Sequence, residues 1–128
     1  MALKISLRPQ ERIVIAGAVI RNGGKRCELL IENQVQILRE KDILREEDAN
    51  TPCRRVYFAI QLMYLDPAKM DVHQDVYRSL AGEILRAAPS MKRYFDNIEE
   101  SLTAGNFYQA LKGAQDLIKY EQEVVSRV

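Results

Sequence analysis

The sequence predicts an α+β chain: a small N-terminal antiparallel β unit followed by a four-helix C-terminal region. Three observations carry this. Apolar residues alternate with polar ones at period two over roughly the first forty positions, and they recur at helical spacing after about residue 52. Cap and turn residues lie between the two patterns. A basic β-strand unit over 1–45 and a helical region over 46–128 are expected, packed together as one compact chain. With 128 residues, 47% hydrophobic and 29% charged, the chain has apolar surface for a core and length for one domain or two small cooperating ones.

Leu3-Lys4-Ile5-Ser6-Leu7 alternates as a half-buried strand does, and Pro9-Gln10-Glu11 ends it. Arg12 to Ile15 and Ala18 to Ile20 form a β-branched run, where Ala16-Gly17 suggests a bulge or sharp bend. Asn22-Gly23-Gly24 is the strongest hairpin signal, with a returning strand from about Arg26 to Glu32. Asn33-Gln34 offers another turn before a strand over Val35 to Arg39.

Glu40 to Asp48 is densely charged, as suits a short helix or exposed connector. Thr51-Pro52 supplies an N-cap followed by proline at the first helical position, and Asp66-Pro67 stops the buried helix that follows. A second helix after Asp71 carries Val72, Val76, Leu80, Ile84 and Ala88 as one apolar stripe, ending at Pro89. Ser90 is placed to cap a third helix through Tyr94, Phe95, Ile98 and Leu102, with Gly105 as its C′ residue. The fourth helix, from Phe107 through Val125 to about residue 127, should form an antiparallel hairpin with the third.

Function is bounded by what the residues can do. The formal net charge is +1, so bulk charge does not drive binding to nucleic acid or anionic lipid. No apolar run approaches bilayer length and the N-terminus lacks an apolar signal core, so a cytoplasmic location without membrane contact is expected. One histidine, His73, reads as a helix-surface or cap residue. Two cysteines, Cys27 and Cys53, read as small buried side chains, so neither a metal site nor a disulfide framework is expected. Without a nucleophile–base pair, and with glycines at Gly17 and Gly23-Gly24 that fit neither the Walker nor the dinucleotide spacing of a nucleotide-phosphate loop, the chain is expected to be no enzyme and to need no cofactor or small-molecule substrate.

One asymmetry stands out. Residues 1–41 hold eight Lys or Arg against four Glu, while all nine aromatics lie beyond residue 56. Arg8, Arg12, Arg21, Lys25, Arg26 and Arg39 are therefore the candidate RNA-binding residues, working through phosphates because no aromatic stacking platform accompanies them. The same cations could instead protect sheet edges from aggregation. On the last helix, Tyr108 and Tyr120 are candidates for a protein partner.

Several segments in order carry a resemblance: Glu11-Arg12-Ile13-Val14-Ile15, Gly17-Ala18-Val19-Ile20, Leu30-Ile31-Glu32-Asn33-Gln34 and Leu38-Arg39-Glu40-Lys41-Asp42-Ile43. Further along are Arg55-Val56-Tyr57-Phe58-Ala59, Tyr64-Leu65-Asp66-Pro67, Tyr108-Gln109-Ala110-Leu111-Lys112 and Leu117-Ile118-Lys119-Tyr120-Glu121. Together they resemble the FlbT flagellar regulators over essentially the whole chain. The resemblance implies a cytoplasmic, alphaproteobacterial, post-transcriptional regulator. It would associate with the 5′ untranslated region of flagellin mRNA, repress translation and promote decay, in concert with FlaF; activation is attributed to some members. It also leaves open a protein-binding adaptor of flagellin or FlaF with only indirect RNA contact.

Overall fold

The computed structural model describes residues 2–126, and for Ser126 only the backbone. Positions 127 and 128, expected at the end of the helical region, lie outside the described residues. Among the described residues five strands precede four α-helices, in two compact units over Met1–Ile43 and Leu44–Val128. The α+β expectation holds.

The first unit contains β1 (Leu3–Leu7), β2 (Arg12–Ile15), β3 (Ala18–Arg21), β4 (Cys27–Ile31) and β5 (Ile37–Arg39). They form two antiparallel sheets, β1-β4 and β3-β2-β5. Ile5, Leu7 and Ile13 are buried together, with Ile15, Cys27, Leu29, Ile31 and Ile37 packed around them. Alternation in β1 sends Lys4 and Ser6 outward.

One turn assignment is refined and another corrected. Of the bulge or sharp bend expected at Ala16-Gly17, the structure has the bend, sharpened into the two-residue loop of the β2–β3 hairpin, with Ile15 opposite Ala18. Both residues take positive φ, 50° at Ala16 and 85° at Gly17, as a type I′ turn requires. Alanine pays a steric penalty there. Ala16→Asn, which creates the preferred Asn-Gly pair, should therefore stabilise the fold by about 1 kcal/mol, read as a rise in the melting midpoint. Conversely, Asn22-Gly23-Gly24 joins strands that are not paired with each other, because β4 pairs with β1 and not with β3.

In the second unit, α1 (Pro52–Leu65) begins at Thr51, whose hydroxyl oxygen accepts from the Arg54 amide at 3.1 Å. A 3-10 turn at Glu46–Asp48 occupies the charged stretch before it, whereas the one at Glu40–Asp42 belongs to the first unit. Gln61 pins the preceding segment to α1 by bonding both the amide (2.8 Å) and carbonyl (2.9 Å) of Leu44. Glu121 reaches the start of α1 from α4 (Phe107–Ser126): it accepts from the Thr51 hydroxyl at 2.6 Å and the Cys53 amide at 3.1 Å. An acceptor carboxylate there satisfies a helix-terminal N–H and complements the helix dipole.

The buried register of α2 (Met70–Ala87) differs from the expected stripe. His73, Tyr77, Ala81 and Ile84 are buried, while Val72 and Val76 are 57% and 48% exposed. His73 is thus an interior residue, bonded to Asp66 at 3.0 Å, and Tyr77 donates to Glu99 at 2.9 Å. These partners satisfy the polar tips and let both rings point inward. Ser90 does not cap α3 (Lys92–Thr103); it lies in a 3-10 turn and accepts from the Tyr120 hydroxyl at 2.8 Å.

The helix ends at Gly105, φ 75°, with Gly105 N–H bonded to Leu102 O and Asn106 N–H to Ser101 O, the Schellman pattern. Asn106 then caps α4 by accepting from the Gln109 amide at 3.1 Å. Helices α3 and α4 pack as a hairpin, and at Gly113 a Cβ would stand 2.9 Å from Ile98, so glycine permits the close crossing.

Candidate nucleic-acid interface

The six cations expected to contact RNA come from strand ends distant in sequence, and the pairing collects them at one end of the β unit. Leu7 is opposite Cys27, which places Arg8, just after β1, across from Arg26, just before β4. Arg12 opens β2 directly opposite Arg21, which closes β3. Arg39 closes β5 beside Ile13.

The loops here are tied together by one side chain. Asn22 donates from Nδ2 to the carbonyls of Leu7 (3.2 Å), Arg8 (3.1 Å) and Lys25 (2.9 Å), and its Oδ1 accepts from Gly24 N–H at 3.1 Å. Its backbone bonds Gln10 and Glu11 as well. Asn22 is a positioning residue that turn chemistry alone did not mark.

The six divide by their partners. Glu11, 8% exposed, accepts from the Arg8 amide at 2.9 Å and lies 3.6 Å from the Arg8 guanidinium and 3.7 Å from that of Arg39. Arg39 also donates to Ser6 O at 2.9 Å. The Arg8 amide, followed by the two guanidinium charges, holds the Glu11 carboxyl below its ordinary value. A depressed carboxyl contributes stability that is complete above its unfolded-state pKa and is lost as pH falls through the lowered one. Wild-type protein should accordingly lose stability in acid below the usual glutamate range, and Glu11→Gln should flatten that part of a melting-midpoint profile against pH.

In contrast, among the described residues Arg12, Arg21, Lys25 and Arg26 form no ion pair, and all four are exposed. Arg12 and Arg21 are like charges directly opposite across two strands, an arrangement that costs stability unless an anion joins them. Beside them, Ser6, Arg8, Glu11, Arg26, Arg39, Glu40 and Lys41 line an open cavity of about 460 Å³. Lys41 and Ser6 were not among the expected site residues; Lys41 was visible only as part of the charge excess. The arrangement can hold phosphates and has no ring on which a base could stack.

The helical candidates are placed differently. Tyr108 is 41% exposed, with Lys112 Nζ 5.0 Å from its ring centre. Tyr120 stacks on Tyr94 at 5.1 Å and bonds Ser90, so its ring serves the packing of its own unit. Cys53 is buried and burial pushes its thiol up, leaving it protonated and unreactive. Among the described residues no group of three or more His, Cys, Asp or Glu could hold a metal ion, and no helix is long and apolar enough to cross a membrane.

Fold and site together define an α+β protein that presents one cationic strand end. The family described as flagellar protein FlbT matches residues 3–125. Probable flagellum biosynthesis repressor protein FlbT of Rhodopseudomonas palustris (strain TIE-1) is 42% identical over 99% of this chain and 100% of its own length. A counterpart in Bradyrhizobium diazoefficiens, named probable flagellum biosynthesis repressor protein FlbT 1, is 44% identical over 97% of this chain and 85% of its own. The flagellum biosynthesis repressor protein FlbT of Caulobacter vibrioides (strain ATCC 19089) is 34% identical over 100% and 92%. No solved structure matches. The chain belongs to the FlbT family.

Proposed function

We propose that this chain is a cytoplasmic repressor of flagellum biosynthesis that acts after transcription: it binds the 5′ untranslated region of flagellin mRNA, represses translation and promotes decay. The names of the relatives support the repressor role. The observation that carries the RNA contact is the convergence of Arg12, Arg21, Lys25 and Arg26 at one end of the β unit without acidic partners among the described residues. Phosphates supply the counter-charge these side chains lack, and Arg8 and Arg39, held by Glu11, shape the adjoining cavity. The protein is not itself a nuclease and uses no metal; decay of the bound message falls to cellular nucleases.

A second reading, an adaptor of flagellin or FlaF with indirect RNA contact, is favoured by one observation. An open cavity of about 380 Å³ on the helical unit is lined by Phe58, Leu62, Val76 and Leu80 among others, with exposed Val72 on the same helix. Exposed apolar surface of this kind suits a protein partner. The test is binding of flagellin leader RNA to the pure protein in chelator, with and without FlaF. Saturable binding of intact RNA by the pure protein supports the first reading. Binding that requires FlaF, and is lost on Tyr108→Ala, supports the adaptor. RNA cleavage that tracks the protein through purification contradicts both.

A further inference from the structure

Glycine is required in a chain for one of two local reasons, a positive φ or a neighbour too close for a Cβ. Gly23 and Gly24 meet neither. Among the described residues the positive-φ glycines are Gly17 and Gly105, and a Cβ built on Gly23 or Gly24 meets nothing within 4 Å. Both stand in the segment anchored by Asn22, between Arg21 and Lys25, beside the cations without acidic partners. Gly24 N–H bonds Asn22 Oδ1, while no acceptor for Gly23 N–H is found among the described residues.

We infer that Gly23 and Gly24 keep main chain bare for a phosphodiester backbone, which packs against the loop and accepts from the Gly23 amide while Arg21, Lys25 and Arg26 meet its charge. This rests on the RNA reading above and adds how that strand is held. Main-chain contact to phosphate is blind to the base, so this loop sets affinity and leaves sequence choice to other groups. A Cβ here would cost the fold nothing and would hold the strand off the amide. In the unfolded chain alanine also has less freedom to lose than glycine.

The experiment uses the full-length protein with Gly23→Ala and Gly24→Ala, singly and combined, measuring the melting midpoint and the affinity for flagellin leader RNA and for an unrelated single-stranded RNA of equal length. The expected result is a midpoint equal to or above wild type, and affinity for both RNAs lower by roughly tenfold in the double variant, as for one lost charge-assisted hydrogen bond. The salt dependence should be unchanged, because no cation has been removed. Affinities within twofold of wild type would overturn the inference while leaving the RNA reading intact. A midpoint several degrees lower, or a loss confined to the leader RNA, would likewise overturn it, showing glycines that serve the fold or a contact to bases. Wild-type protein that binds neither RNA would remove the RNA reading and this inference together.

Discussion

Arg21→Glu is expected to make the protein more stable and a poorer RNA binder at the same time. Arg21 faces Arg12 directly across the β2–β3 pair, both exposed. Reversing one charge turns a repulsive cross-strand pair into an attractive one, worth up to about 1 kcal/mol. For a chain of this size that raises the melting midpoint by about 4 °C. If the proposed RNA contact holds, the same change removes one phosphate contact and sets a carboxylate against the strand, so affinity for leader RNA should fall by at least tenfold, and by more at low salt. Cations that merely guard a sheet edge would show the stability gain without the binding loss. Thermal melting alongside fluorescence anisotropy separates the two.

Glu121→Ala should be the most destabilising of the substitutions considered, by about 2 kcal/mol, a fall of about 8 °C in the melting midpoint. It withdraws the acceptor from the Thr51 hydroxyl and the Cys53 amide at the start of α1 and removes a negative charge from that helix N-terminus. Glu121→Gln keeps an acceptor oxygen and should lose about half as much. RNA affinity of the folded fraction should be unchanged in both variants, because Glu121 belongs to the helical unit and not to the basic end. A midpoint within 1–2 °C of wild type for Glu121→Ala would show that water replaces the carboxylate at negligible cost.

The parts of the fold legible in the sequence are those where local pattern and tertiary demand coincide. Leu3-Lys4-Ile5-Ser6-Leu7 alternates because one face of β1 is buried, and Thr51-Pro52, Asp66-Pro67 and Gly105 each do their local work where the chain requires it. Legibility ended where two local rules competed. Asn22-Gly23-Gly24 outscored Ala16-Gly17 as a hairpin, yet the tight turn fell at the alanine, because β4 finds its partner in β1. On α2, Val72 and Val76 looked like core, whereas His73 and Tyr77 take the buried face because Asp66 and Glu99 satisfy their polar atoms.

The candidate site was half legible for a similar reason. Charge bias marked the cations, but their convergence depends on strand pairing across the unit, and the division between those held by Glu11 and those without an acidic partner depends on side-chain geometry. Neither property is written in spacing along the chain. Asn22 showed itself only as a turn former, although its amide ties three carbonyls of the basic end together.

Direct RNA binding through the basic end is tested most directly by the salt dependence of leader-RNA affinity in wild-type protein and in the Arg21→Ala, Lys25→Ala, Arg26→Ala triple variant. Each phosphate contact to a single strand contributes about 0.7 to the slope of log affinity against log salt. The triple variant should therefore bind more weakly at low salt, with a slope shallower by about 2, while melting near the wild-type temperature. A folded triple variant with wild-type affinity and an unchanged slope would contradict a phosphate-binding β unit.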